Sequence, residues 1–157
     1  MRRFLGYRAY KADPIVEALA PQFIALANEA TLAEHYGLHQ VAGVAYGKAL
    51  EFLIKDYAKR ENPLQATAIE SAPLATCIRD YIKDEALRTS TDLARWLRND
   101  EMHYRRKFLD RNVQDLKRLI ALAIALIVNA EQRRDLALQA QRERDTFVSP
   151  SPPDQLS

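Results

Sequence analysis

With 157 residues, 28% charged and 48% apolar, the chain has the size and balance of one soluble globular domain with a proper core. Its net charge of +2 argues neither for nor against a nucleic-acid partner. A single cysteine, Cys77, excludes an intramolecular disulfide and any cysteine-based zinc cluster.

Residues 1–12 form a basic and aromatic segment (Arg2, Arg3, Tyr7, Arg8, Tyr10, Lys11) without a clear period. Its aromatic groups could stack on bases, but Phe4, Tyr7 and Tyr10 are read as covering a neighbouring helix. Asp13-Pro14 reads as an N-cap followed by proline at the first helical position. Pro21 interrupts soon after, so a short turn precedes a helix over 21–36, which Gly37 stops. The clearest helix spans 39–60, where Val41, Val44, Ala45, Ala49, Leu50, Phe52, Leu53 and Tyr57 fall close to a 3.6-residue period. Gly43 and Gly47, four apart on one face, permit close helix packing. Glu51 with Lys48 and Lys55 reads most simply as a set of ion pairs on that helix. Glu51 could also hold Arg98 if it faces it.

Residues 64–72 read as a polar connection. Pro73 opens a helix with Leu74, Cys77, Ile78, Tyr81 and Ile82, and another carries Leu87, Leu93, Trp96 and Leu97. Asp110 or Asn112 caps the final helix. Its middle is apolar all round, and therefore buried on most sides in the core or against a second chain. Beyond Arg134 the helix becomes charged. Arg133, Arg134, Arg142 and Arg144 alternate there with Glu131, Asp135, Glu143 and Asp145, a solvated face. The tail, 146–157, holds three prolines and three serines and reads as disordered. Residues 13–145 then form one all-α domain, a bundle of four or five helices. The longest strongly apolar stretch has ten residues, 119–128, where a spanning helix needs about twenty. The first residues lack the apolar run of a secretory signal, so the expectation is a soluble, cytoplasmic protein with no membrane partner.

Arg98-Asn99-Asp100-Glu101-Met102-His103 combines a permanent cation, a carboxamide and a titratable imidazole, the groups phosphodiester chemistry needs. Residues 95–111 hold six basic groups (Arg95, Arg98, Arg105, Arg106, Lys107, Arg111) against three acidic ones, a field suited to a phosphate-bearing ligand. In a straight helix Asn99 and His103 share a face while Arg98 points about 140° away. Convergence of Arg98 and His103 therefore needs a break at Asn99-Asp100, both poor helix-interior residues, or two copies paired across a dimer. The bland alternative is that Arg98 pairs with Asp100, Glu101 or a distant carboxylate. His35 and His39 have the spacing of two metal ligands, but Gly37 between them breaks the helix and no carboxylate or thiol cluster completes a site. They read as surface or capping histidines, and no metal or other cofactor is expected.

The arginine–histidine pair resembles that of the HEPN superfamily (higher eukaryotes and prokaryotes nucleotide-binding domains). These are all-helical domains with an arginine, four to six residues, then a histidine, and a polar residue favoured after the arginine. A bacterial and phage subfamily also carries a basic residue and a Leu-Glu pair in a central helix, similar to Gly47-Lys48-Ala49-Leu50-Glu51-Phe52-Leu53. An apolar helix ending in an arginine and asparagine follows, similar to Leu93-Ala94-Arg95-Trp96-Leu97-Arg98-Asn99. The resemblance covers about residues 21–130. It implies a homodimer with facing motifs and, in active members, RNA cleavage without metal. It would make His103 the proton-transfer group, Arg98 the stabiliser of charge on phosphorus, and Asn99 the group that orients either. Glu51, Lys48, Arg95, Tyr104, Arg105 and Arg106 would support the site or hold RNA. An antitoxin or other regulatory protein is a further implied partner. Some family toxins are silenced at a tyrosine two residues beyond the histidine; here that position is Arg105, and Tyr104 stands beside His103. Many members are inactive, so a non-catalytic dimer that binds RNA, nucleotide or protein is the alternative. A pure assembly module is the third.

Overall fold

The computed structural model describes residues 6–101 and 112–148. Among them the chain is all-helical, with seven α-helices and no strand. The extra elements beyond a four- or five-helix bundle are two short helices of six residues each.

Helix α1 (Pro14–Leu19) begins as the sequence suggests. The Asp13 carboxylate accepts from the Ile15 amide at 2.9 Å, and Pro14 occupies the first turn, where it has no amide to satisfy. Of the basic and aromatic segment before it, residues 1–5 (Phe4 among them) lie outside the described residues, while Tyr7 and Tyr10 meet α2 (Pro21–His35). The Tyr7 hydroxyl donates to the Asn28 carbonyl at 3.2 Å, and the Tyr10 ring stands edge-on to Phe23 at 5.5 Å. Gly37, at φ +73°, turns the chain out of α2 in the left-handed conformation that favours glycine.

Helix α3 (His39–Glu61) packs against all six other α-helices. Its Ala42, Ala49, Leu50, Leu53, Ile54 and Ala58 are wholly buried, so it is the core of the fold. Each large apolar side chain buried there contributes about 1.5–3 kcal/mol. Residues 64–72, expected as a polar connection, are helical instead. A 3₁₀ turn (Pro63–Gln65) leads into α4 (Ala66–Ser71), which buries Ile69. That one burial and the closing proline turn hold a helix that local polarity did not announce. Helix α5 (Leu74–Tyr81) carries the thiol of Cys77, donating to the Ile69 carbonyl at 3.4 Å. Burial pushes that thiol up from its ordinary value and leaves it a packing group.

Helix α6 (Glu85–Glu101) is capped by Asp84, whose carboxylate accepts from the Leu87 amide at 2.7 Å. Helix α7 (Val113–Val148) opens on a reciprocal cap. Asn112 Oδ1 accepts from Gln114 N at 2.8 Å, and Asp115 Oδ2 accepts from Asn112 N at 3.0 Å. The other expected cap, Asp110, lies outside the described residues. At 36 residues, α7 is about 54 Å long and outruns the bundle. Its middle is not buried all round: Leu116, Ile120, Ala123 and Ile127 face the core, while Ala121, Leu122 and Ala125 are exposed. The helix continues through Thr146–Phe147–Val148, which the sequence placed in a disordered tail. Glu131 and Arg134 are also not a fully solvated pair, the first being buried and the second half-buried. Glu131 is buried and pairs with Arg60 at 3.4 Å and Arg134 at 2.8 Å, and Arg134 also pairs with Glu61. This network fastens the end of α3 to α7.

A second network joins α2, α3 and α7. The Glu34 carboxylate accepts from Tyr46 Oη at 3.1 Å, Lys117 Nζ at 2.9 Å and the Gln114 amide. Burial alone would raise the Glu34 carboxyl. The hydrogen bonds from Lys117 and Gln114, with the Lys117 charge and the Tyr46 hydroxyl, outweigh it and hold the group below its ordinary value. The folded chain therefore binds this proton less tightly than the unfolded chain. Glu34 contributes stability that is complete above the ordinary carboxylate range and is lost as pH falls through the folded value. Glu34→Gln should lower stability at pH 7 by about 1–2 kcal/mol. It should also remove part of the acid-dependent loss, as urea unfolding at pH 7 and pH 3.5 would read.

Candidate functional site

Arg98 stands near the C-terminal end of α6, with its side chain against α3. The contact depends on Gly47. A Cβ built at Gly47 would overlap Arg98 Cγ and come within 3.1 Å of Cδ, so the arginine stem occupies the space a side chain would take. One turn further along α3, Glu51 Oε2 lies 3.1 Å from Arg98 Nη1. Gly47 and Glu51 are four apart and share a helix face, so one packs the stem while the other meets the charge. The distant carboxylate that the sequence allowed for Arg98 is thus Glu51. The pair lacks the alignment of a hydrogen bond, and Nη1 is buried with no hydrogen-bond partner among the described residues. With Nη1 covered and set beside the Glu51 carboxylate, the guanidinium charge is balanced within the fold and the whole side chain is held in place.

The other members are placed less completely. Asn99, half-buried, follows Arg98 within α6, and the helix runs on through Asp100 to Glu101. No break therefore occurs at Asn99-Asp100, although both residues are weak helix formers. The favourable α6 frame that buries Leu87, Thr91, Ala94 and Leu97 carries them. His103, Tyr104, Arg105 and Arg106 lie outside the described residues. Arg95 is engaged along its own helix, pairing with Asp92 at 2.8 Å and lying 4.9 Å over the Trp96 ring.

Beside Glu51 runs a groove of about 480 Å³ between α3 and α4, lined by Lys48, Phe52, Lys55 and Lys59 among others. Its charges are mostly answered. Lys55 reaches Glu51 at 3.2 Å and the Glu70 carbonyl at 3.0 Å, and Lys59 reaches Asp56 and Glu70, each at 3.1 Å. Lys48 is exposed and has no ion pair among the described residues, so the Lys48–Glu51 pair expected from sequence does not form. The structure thus brings Lys48, Glu51 and Arg98 to one place. It leaves Arg95 to its own helix.

His35 and His39 are both exposed, one ending α2 and the other opening α3, and the His35 ring meets Tyr7 and Tyr36 edge-on. Among the described residues no group of three or more potential metal ligands occurs, and no helix is long and apolar enough to cross a membrane. Sequence reasoning missed the Glu34–Tyr46–Lys117 cluster. Its members are up to 83 residues apart, and none belongs to a local pattern. Comparison with known proteins finds no match: no family model fits the chain, and no curated protein or solved structure is significantly similar to it.

The Gly47–Arg98 contact has a measurable consequence. In an open helix, Gly→Ala stabilises by about 1 kcal/mol. At Gly47 the added methyl must displace the Arg98 stem, an overpacking that costs about 1–3 kcal/mol. Gly47→Ala should therefore lower, not raise, the urea midpoint followed by far-UV circular dichroism. A gain in stability would mean that the Arg98 side chain moves aside freely.

Proposed function

We propose that the chain is a metal-independent endoribonuclease of the HEPN type, working as a homodimer and serving as a toxin or defence effector restrained by an antitoxin or other regulatory protein. The observation that carries this reading is the seating of Arg98. Gly47 admits its stem, Glu51 holds its charge, and a buried N–H is left without a hydrogen bond five residues before His103. Holding a guanidinium in place before substrate arrives is what stabilisation of developing phosphoryl charge requires.

In this mechanism His103 takes the proton of a ribose 2′-hydroxyl, whose oxygen attacks the adjacent phosphorus. Arg98 stabilises the charge on the pentacoordinate phosphorus, and Asn99 orients the imidazole or the phosphate. The bond to the 5′-oxygen breaks, the leaving oxygen takes up a proton, and the products carry 2′,3′-cyclic phosphate and 5′-hydroxyl ends. Dependence on the 2′-hydroxyl confines the reaction to RNA. Lys48, exposed beside Glu51, would contact the backbone, with Arg105 and Arg106 adding to the field around His103.

The homodimer reading draws on α6 and α7, which pack on each other and leave Leu93, Trp96 and Leu122 half-exposed. Large apolar groups on adjacent helices suit burial by a second copy. The alternative, a non-catalytic dimer that binds RNA, nucleotide or a protein partner, draws on the groove at Lys48 and Phe52.

The deciding experiment is cleavage of a mixed RNA pool, with EDTA present, by wild type, Arg98→Ala and His103→Ala. Wild type should leave cyclic phosphate ends, and each variant should be slower by roughly a hundredfold or more. A dimeric wild type that binds RNA in a salt-dependent way without cutting it would establish the non-catalytic alternative. Separately, Trp96→Glu with Leu122→Glu should halve the mass read by light scattering while helix content is retained. An unchanged mass would remove α6 and α7 as the dimer face.

A further inference from the structure

Away from Arg98, a cleft of about 420 Å³ opens where the N-terminal segment, α2, α3 and the start of α7 meet. Small-molecule sites commonly have this volume, an apolar wall and a few convergent polar groups. Here the wall includes Phe23, Tyr46 and Ile120, all buried, with the half-buried Tyr10 at its side. Lys117 and Arg118 reach the same space from the first turns of α7.

The charges are arranged unevenly. Lys117 is paired with Glu34 at 2.9 Å, and Arg118 with Asp115. Neither carboxylate lines the cleft, whereas both cations do. Glu34 is already satisfied by three donors, and an ammonium has three N–H groups to give. Lys117 also stands 5.4 Å from the Tyr46 ring centre, at the boundary between the apolar wall and the charged edge. Burial pushes the Tyr10 and Tyr46 hydroxyls above their ordinary range, Tyr10 further through Tyr46, so both remain neutral at physiological pH. What faces a ligand is therefore an aromatic and aliphatic wall with positive charge at one side.

We propose that this cleft is a binding site for a small aromatic acid. The ring lies beside Tyr10 and Ala121, over the buried Phe23, Tyr46 and Ile120, and the acid group meets Lys117 and Arg118. The site is separate from Arg98, and its occupancy does not depend on the nuclease reading.

The test is isothermal titration of the full chain with 2-naphthoate and with uncharged 2-naphthamide. The naphthoate should bind saturably at one per chain, at least roughly tenfold more tightly than the amide. Ala121 lines the cleft yet is exposed, so Ala121→Trp should block binding and leave thermal unfolding unchanged. Arg118, whose side chain is 75% exposed, can likewise be changed without opening the core. Arg118→Gln should weaken the naphthoate roughly threefold to tenfold and leave the amide unaffected. Absence of saturable binding, equal affinity for the two probes, or binding that survives Ala121→Trp would each overturn the proposal.

Discussion

Everything in this fold is arranged around the burial of α3. A helix covered on several sides needs small residues where neighbours come closest and large ones where they stand off. Ala42, Ala49 and Ala58 supply the first, and Leu50, Leu53 and Ile54 the second. Gly47 is the extreme case, because the neighbour it admits is not a backbone but the stem of an arginine. The same helix that organises the core therefore also fixes the position of Arg98.

Polar groups decide how the surrounding helices are set. Glu34 gathers Tyr46, Gln114 and Lys117 at one end of the molecule, and Glu131 and Glu61 gather Arg60 and Arg134 at the other. Both clusters involve α3 and α7, the two longest helices, and each is satisfied at one axial register. Apolar packing tolerates a slide of these helices better than the clusters do, because a displaced carboxylate would lose several charged donors together. Glu51 and Arg98 form a third link, from α3 to α6, less fully satisfied. The unevenness matters. Two clusters are closed, whereas the third keeps an unused donor at the end of the helix that leads to His103.

The α2–α3–α7 cluster also shapes the cleft beside it. Glu34 lies off the cleft wall, whereas Lys117, its partner at 2.9 Å, lines it. The clefts at Lys117 and at Lys48 differ in the same terms. The first has an apolar wall with positive charge along one side, and the second has lysines and carboxylates interleaved along its length.

Sequence alone determined the class of fold and most helix boundaries. Periodicity over α3, Asp13-Pro14 before α1, Gly37 after α2 and Asn112 before α7 are local signals, and the backbone obeys them. It also marked Arg98 and Asn99 as a group worth locating. Where the reading failed, tertiary structure overrode local composition. A polar stretch became α4 because Ile69 found a buried place, Asn99 and Asp100 stayed helical because the rest of α6 is anchored, and α7 ran on into residues read as tail. Glu131 and Arg134, which look like members of a solvated charge pattern, became a lock around a buried carboxylate because Arg60 and Glu61 arrive from another helix. Only the folded chain could set Gly47 against Arg98, or Glu34 against Lys117. Such contacts join residues tens of positions apart, and no local period records which side chain will fill the space that another leaves.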